Sequence, residues 1–319
     1  MTRSVLVRGA GVAGLCCAVT LAERGMRVVL AESGAAIGSG ASWKAGGMLA
    51  PWCEAETAPP ALLEQALPSL EWWRRHVPET VFAGTLVLAL GRDGGELARM
   101  SRRTAEHRWV DGAALAALEP DLADRFSRGL FFEGEAHLDP RRALPALAER
   151  LHALGGTVLL HQAAMPSGVF DHVVDARGFA SEPVLPGLRG VRGEMLLLRV
   201  SGVTLHRPIR LLHPRFPLYL VPRENGVVML GATMIESEDQ GRPRVRSVME
   251  LLSAAFALHP AFGEAEILEM SADLRPSLAD NMPRVQERDG VLHVNGMFRH
   301  GFLMAPVLAS EVCDRIAGR

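Results

Sequence analysis

Ser4 to Arg8 reads SVLVR, a short β-branched run without polar alternation, the pattern of a strand covered on both faces. After a break of glycines the period changes. Leu15, Ala18, Leu21 and Ala22 recur at helical spacing until Gly25 stops them, and RVVLAE then predicts a second buried strand that ends in Glu32. Farther along, the pattern predicts strands near 82–90, 128–132, 192–200, 217–222 and 227–232, and helices near 61–75, 94–105 and 141–154. A closing helix begins near Phe302 and carries Leu308, Val312 and Ile316 on one face, with Pro306 tolerated in its first turn. No internal repeat or low-complexity linker interrupts the chain, and the APP at 58–60 reads as a turn.

Composition narrows the classes. At 319 residues the chain has room for about two domains of ~150 residues each. With 48% hydrophobic and 22% charged residues it is an ordinary globular sequence. Lys+Arg 34 against Asp+Glu 36 leaves a net charge of -2, which points to neither a nucleic acid nor a membrane surface as partner. The N-terminal SVLVRGAGVAGLCCAVTLA is apolar enough to mimic a signal peptide, but glycines interrupt it and strand, turn and helix account for it better. No apolar run reaches the ~18–20 residues that span a bilayer, so the expected location is cytoplasmic. Cys16, Cys17, Cys53 and Cys313 have no zinc-like spacing, no metal is expected, and the adjacent pair reads as small hydrophobes in a helix.

The glycines between the first strand and helix carry chemistry. Gly9, Ala10, Gly11, Val12, Ala13 and Gly14 form a GxGxxG. Gly9 permits the tight turn, Gly11 lets a pyrophosphate approach the backbone, and Gly14 lets helix and strand pack closely. The helix N-terminus offers unpaired N–H groups to phosphate. Glu32 ends the second strand, where it can accept hydrogen bonds from ribose hydroxyls; a carboxylate there disfavours a 2′-phosphate, and hence NADP. Strand, glycines, helix, strand and acid in register predict dinucleotide binding, with NAD and FAD both open at this point. The stretch GSGASWKAGGMLAPWCE, 38–54, is glycine-rich yet contains Trp43, Met48, Leu49 and Trp52, which are poor choices for a solvated loop and suit one that approaches a ligand.

Taken with Glu32-Ser33 and GASWKAGGMLAP, the glycine turn resembles the D-amino-acid oxidase superfamily of flavoproteins, and within it the glycine oxidases of thiamine biosynthesis. GEAHLDPRRALPALAERLHALGG, YLVPRENGVVMLGATMIESED, ADLRPSLADNMPRV and NGMFRHGFLMAP resemble further family segments in the same order, so the likeness covers nearly the whole chain. It implies an α/β fold: a doubly wound, Rossmann-like FAD-binding domain from 1–78, 137–183 and 265–319, and a substrate domain from 79–136 and 184–264 on a mixed, mostly antiparallel sheet. It assigns Ala41, Ser42, Gly46, Gly47, Met48, Met165, Met297, Phe298, Arg299, His300, Gly301, Phe302 and Leu303 to FAD, beside Gly9, Gly11, Val12, Ala13, Gly14, Glu32 and Ser33. FAD is expected to be non-covalent, because SLADNMPRVQERDGVLHVNG, where some relatives attach flavin through cysteine, has none. The chain is short for the family: between GGTVLLHQAAM and FDHVVDARGFAS the usual strand pair is nearly deleted. Trp43 and Lys44 replace smaller residues, and His300 stands where an amide is common.

An amino-acid oxidase must hold a carboxylate, place the α-C–H against the flavin and stabilise the charge that develops on reduction. The cofactor carries the hard chemistry, so no catalytic acid–base residue is required. Arg275 in DLRPS is the main candidate for the carboxylate, since a planar guanidinium matches it with two parallel bonds. Arg299 is the second, and Tyr219, the one tyrosine, falls where relatives bind substrate. Gly296 and Gly301 let the GMFRHGF loop wrap the flavin ring, and the helix behind it presents its positive end. The expected reaction takes glycine, or sarcosine and small D-amino acids, with O2 to glyoxylate, ammonia and H2O2 through an imine. The alternatives are a D-amino-acid, sarcosine or hydroxyproline dehydrogenase that passes electrons to a partner protein, a non-enzymatic flavin subunit, and an NAD-dependent dehydrogenase, which the 38–54 loop argues against. Assembly into a homo-oligomer is left open.

Overall fold

The computed structural model describes residues 2–318 apart from 56, 57, 59, 163–165, 167 and 213–217. Two sheets organise it. The first has six strands, in the order Arg284–Arg288, Val291–Asn295, His172–Asp175, Ser4–Arg8, Arg27–Ala31 and Thr157–Leu159. All neighbours run parallel except the edge strand Arg284–Arg288, which is antiparallel to Val291–Asn295. The second has eight strands, in the order Glu266–Ser277, Arg189–Arg199, Val227–Gly231, Leu218–Pro222, Ile209–Leu212, Thr85–Ala89, Arg128–Phe132 and Arg108–Asp111. Here every pair is antiparallel save Ile209–Leu212 with Thr85–Ala89. This is the expected α/β architecture, with one mostly parallel and one mostly antiparallel sheet. Met48–Leu49 and Ala136–His137 add a short antiparallel pair between them.

Burial explains the sequence pattern. Val5, Leu6 and Val7 have no exposed surface, as a central parallel strand requires. The first helix, Val12–Glu23, is buried from Val12 through Ala22, which is why small residues fill it. The last helix, Gly301–Ala317, packs along it. The helix Pro140–Ala153 starts where its residues dictate: the Asp139 side chain accepts the Arg141 N–H, and Pro140 takes the first helical position.

Three expectations needed revision. The helix near 61–75 is two, Pro60–Ala66 and Pro68–His76, because Pro68 starts a new helix at its first position and cannot donate to the preceding one. The helix near 94–105 ends at Ser101. Glu266–Ser277 is the long edge strand of the eight-stranded sheet, so membership by hydrogen bonding passes from one sheet to the other after Ser277 and not at 265. Among the described residues no strand lies between Leu159 and His172. Among the described residues no helix is long and apolar enough to cross a membrane.

Trp73 links this packing to the entry of the last helix. Its ring is fully buried, 5.6 Å from the Phe302 ring, and its Nε1–H donates to the Phe302 carbonyl at 2.7 Å. Trp73→Ala should lower stability by ~3–5 kcal/mol through the cavity and the orphaned carbonyl. Urea unfolding of the cofactor-free protein measures this, and a loss below about 1 kcal/mol would show that the helix entry does not depend on the ring.

Candidate active site

A cavity of about 480 Å3 runs between the two sheets. At one end is the glycine turn. Gly9 has φ +98, and a Cβ there would lie 2.7 Å from the Ala176 carbonyl oxygen; a Cβ on Gly14 would lie 1.8 Å from the Gly9 carbonyl oxygen. Both positions therefore demand glycine, one for conformation and contact, the other for contact alone. No side chain caps the helix that follows, so its first N–H groups face the cavity, except that of Val12, which donates to Ser42 Oγ at 3.1 Å. Glu32 is fixed by the Ala10 N–H on Oε2 at 2.7 Å and the Gly34 N–H on Oε1 at 2.8 Å, and it borders the cavity beside Ser33. A backbone cradle that a Cβ would fill, a bare helix N-terminus and a pre-set carboxylate fit the pyrophosphate and ribose of FAD.

The 38–54 loop forms one wall, through Ala41, Ser42, Gly46, Gly47 and Met48. Its tip is tied to the opposite sheet: Lys44 Nζ donates to Asp273 Oδ2 at 2.7 Å and to the Ala272 carbonyl at 3.0 Å. Gly47 has φ +71 and has backbone where a Cβ would go, with Leu138 O only 2.2 Å away. The other wall is Met297 through Leu303, ahead of the last helix, whose N-cap is His300. The helix starts one residue earlier than its sequence pattern suggested.

At the far end the residues expected to meet substrate do converge. Arg275 lies against Gly193, where a Cβ would fall 2.4 Å from the guanidinium carbon. It gives one hydrogen bond, from Nη1 to the Thr233 carbonyl at 3.0 Å, and its other donors have no partner among the described residues. Burial, then the Arg299 charge, pushes Arg275 down to about 10, so it stays protonated at neutral pH. Arg299 is engaged differently: Nη2 pairs with Glu54 Oε2 at 2.6 Å and donates to the Tyr219 hydroxyl at 3.2 Å. Burial pushes His300 down to about 4, which leaves a neutral imidazole on the cavity wall.

Glu54 and Glu135 were not among the residues singled out from the sequence. Burial raises the Glu54 carboxyl, but the charges of Arg299, Arg210 and Arg275 outweigh it and hold it below its ordinary range. Glu135 lies behind it and accepts the amide protons of Trp52 at 2.8 Å and Cys53 at 2.6 Å on Oε1. An acid at the end of the apolar PWCE was the available signal for Glu54; nothing local marks Glu135, whose partners lie far along the chain. Gly14 packs the turn from behind and does not border the cavity, and Met165 lies outside the described residues. No group of three His, Cys, Asp or Glu among the described residues could hold a metal.

Burial pushes Glu135 up to about 7 against backbone hydrogen bonds that act to lower it. A carboxyl whose folded pKa exceeds its unfolded value of 4.5 favours the fold while protonated, and that advantage disappears as pH rises from about 4.5 to 7. The span corresponds to roughly 3 kcal/mol. Glu135→Gln should flatten the pH dependence of unfolding between pH 5 and 7, and an unchanged slope would show that Glu135 does not titrate there.

Comparison with known proteins shows the family to which the chain belongs. The family model for FAD dependent oxidoreductases matches residues 4–315. A Rhizobium etli protein named thiamine biosynthesis oxidoreductase ThiO is 54% identical over 313 residues, which cover 98% of this chain and 96% of that one. The glycine oxidase of Bacillus licheniformis is 26% identical over 348 residues, covering 98% of this chain and 92% of its own. Among solved structures, glycine oxidase from Geobacillus kaustophilus superposes with a TM-score of 0.82 at 24% identity, over 100% of this chain and 96% of that one, and shares the fold.

Proposed function

Because the chain belongs to the FAD-dependent oxidoreductase family, we propose that it oxidises glycine or a similarly small amino acid, with O2 as acceptor. The products are glyoxylate, ammonia and H2O2, formed through an imine that water hydrolyses. The product serves thiazole formation in thiamine synthesis; the name of the Rhizobium etli relative supports thiamine biosynthesis as the pathway. The division of labour between two arginines carries this reading. Arg299 is committed to Glu54 and Tyr219, whereas Arg275 turns uncommitted donors toward the cavity.

Arg275 binds the substrate carboxylate with parallel N–H donors and so fixes the α-carbon. Arg299, held by Glu54, keeps the Tyr219 hydroxyl in place at the edge of that pocket. Bound FAD supplies the hydride acceptor, and it is retained without a covalent link. Met297 to Leu303 wrap the cofactor side, and the N-terminal end of the last helix favours negative charge there. Neutral His300 adds no positive charge to compete for the carboxylate. The buried site excludes water from the α-carbon until the imine leaves.

Anaerobic titration of the purified protein with amines, followed by admission of air, tests the reaction. Glycine or sarcosine should bleach the flavin and air should restore it with one H2O2 per product. Faster turnover of D-phenylalanine than of glycine would reject the small-substrate reading, and bleaching without H2O2 on aeration would reject O2 as acceptor.

Arg275→Ala should lower kcat/KM for glycine by about 10²–10³-fold, from the ~3–5 kcal/mol lost when a buried charge loses its partner. Arg275→Lys should recover part of this, since an ammonium keeps the charge but not the fork. FAD content should stay near that of the parent. Near-parental kcat/KM in Arg275→Ala would move the carboxylate site to Arg299 and Tyr219.

A further inference from the structure

The main cavity has a neighbour. A second cavity, of about 490 Å3, lies on the same face of the eight-stranded sheet, displaced along the strands Arg189–Arg199 and Val227–Gly231. The two cavities share three wall residues, Ala45, Met195 and Met229. Register explains why. Met195 pairs with Gly231 and Leu197 with Met229, so the two methionines sit diagonally on one face, with the main cavity on the Gly231 side and the second cavity on the Leu197 side. A Cβ on Gly231 would meet Met229 Cε at 3.0 Å and Met195 Cβ at 3.2 Å. Above them passes the 38–54 loop, where a Cβ on Gly46 would lie 3.9 Å from Met229 Sδ.

The partition therefore consists of two thioether side chains, the Ala45 methyl and a glycine, with no charged group in it. Methionine is unbranched and has three rotatable side-chain bonds, so a rotamer change can open a gap without moving backbone. The roof is held from the far side: Arg223, in the second cavity, donates to the Gly46 carbonyl at 2.6 Å and to the Leu138 carbonyl at 2.7 Å. A fixed roof over mobile thioethers is suited to passing something small. An ammonium or a carboxylate would lose its hydration in such a gap with nothing to replace it, whereas a small neutral molecule would not.

We propose that the second cavity is an antechamber for dioxygen, and that O2 reaches the reaction site through the Met195–Met229 partition while the amino acid uses the main opening. The proposal rests on the oxidase reading above. Dioxygen takes up the two electrons and two protons released by each substrate oxidation and leaves as H2O2. Separate routes let oxygen arrive while substrate or product still fills the main cavity. The antechamber wall is mixed: Val77, Val81, Leu205 and Val227 suit an apolar gas, and charged side chains beside them are taken up in ion pairs, Arg142 with Glu79 and Glu224 and Arg223 with Asp139.

The test separates the two halves of the reaction in the holoenzyme. Leu197→Trp fills the second cavity beside the partition and does not border the main one. Met229→Phe stiffens the partition itself. After anaerobic reduction by glycine, rapid mixing with oxygenated buffer gives the reoxidation rate constant. We expect Leu197→Trp to lower it about tenfold or more, equivalent to ~1.4 kcal/mol on that step, and to leave the rate of reduction and the FAD content within about twofold. Crystals under xenon pressure should show xenon in the second cavity of the parent protein and none there in Leu197→Trp. Unchanged reoxidation in both variants, or xenon only in the main cavity, overturns the antechamber. If the parent protein is reduced by glycine but not reoxidised by O2, the oxidase reading falls and takes the antechamber with it. If no amino acid reduces it, the proposed reaction itself is wrong.

Discussion

Glu54 and Arg299 meet at 2.6 Å in a place almost closed to water, and much of the site is arranged around that contact. One partner ends the loop that follows the second strand of the parallel sheet. The other precedes the last helix. Their pairing brings two segments remote in sequence to the seam between the sheets. A buried ion pair is costly unless its remaining valences are satisfied, and here they are distributed with care: Arg299 also donates to Tyr219, and further cations stand round Glu54. Glu135 holds the peptide groups just before Glu54. With Arg299 occupied, Arg275 keeps guanidinium donors that take no partner among the described residues.

The glycine turn was legible because its demands are local. Gly9 needs a left-handed backbone, Gly14 needs the absence of a Cβ, and the strand and helix on either side declare themselves by period. Arg275, Arg299 and Tyr219 were singled out through segments that resemble a known family, and the fold brings the three to one cavity. What sequence pattern did not reveal depends on partners chosen by the fold. Glu135 is an acid in an ordinary strand connection until Trp52 and Cys53 present their amides to it. Glu266–Ser277 has a mixed burial pattern because it is an edge strand whose outer half is exposed, so neither a strict alternation nor an apolar run marks it. Pro68 was visible, but the apolar period on both sides of it masked the break between two helices.

Lys44 shows how a departure from a family pattern can be absorbed. A lysine in a loop beside a cofactor could compete for its phosphates. Here Asp273 and the Ala272 carbonyl take it, and the result is a tie between the loop and the edge strand two residues before Arg275. The loop wall of the cavity is thereby fastened to the strand that carries Arg275.

The order of strands in the six-stranded sheet has a consequence for how the protein folds. Ser4–Arg8 lies in the middle of that sheet, and Val291–Asn295, from the other end of the sequence, lies two places away. The first helix finds much of its cover only in Gly301–Ala317. The apolar, glycine-interrupted segment around the first helix is thus buried only when segments remote in sequence have come together, a pattern of long-range contacts that slows folding. The long strands between can pair among themselves in the meantime. The cavity lined by the glycine turn and by Met297 to Leu303 is complete only when these remote segments have met.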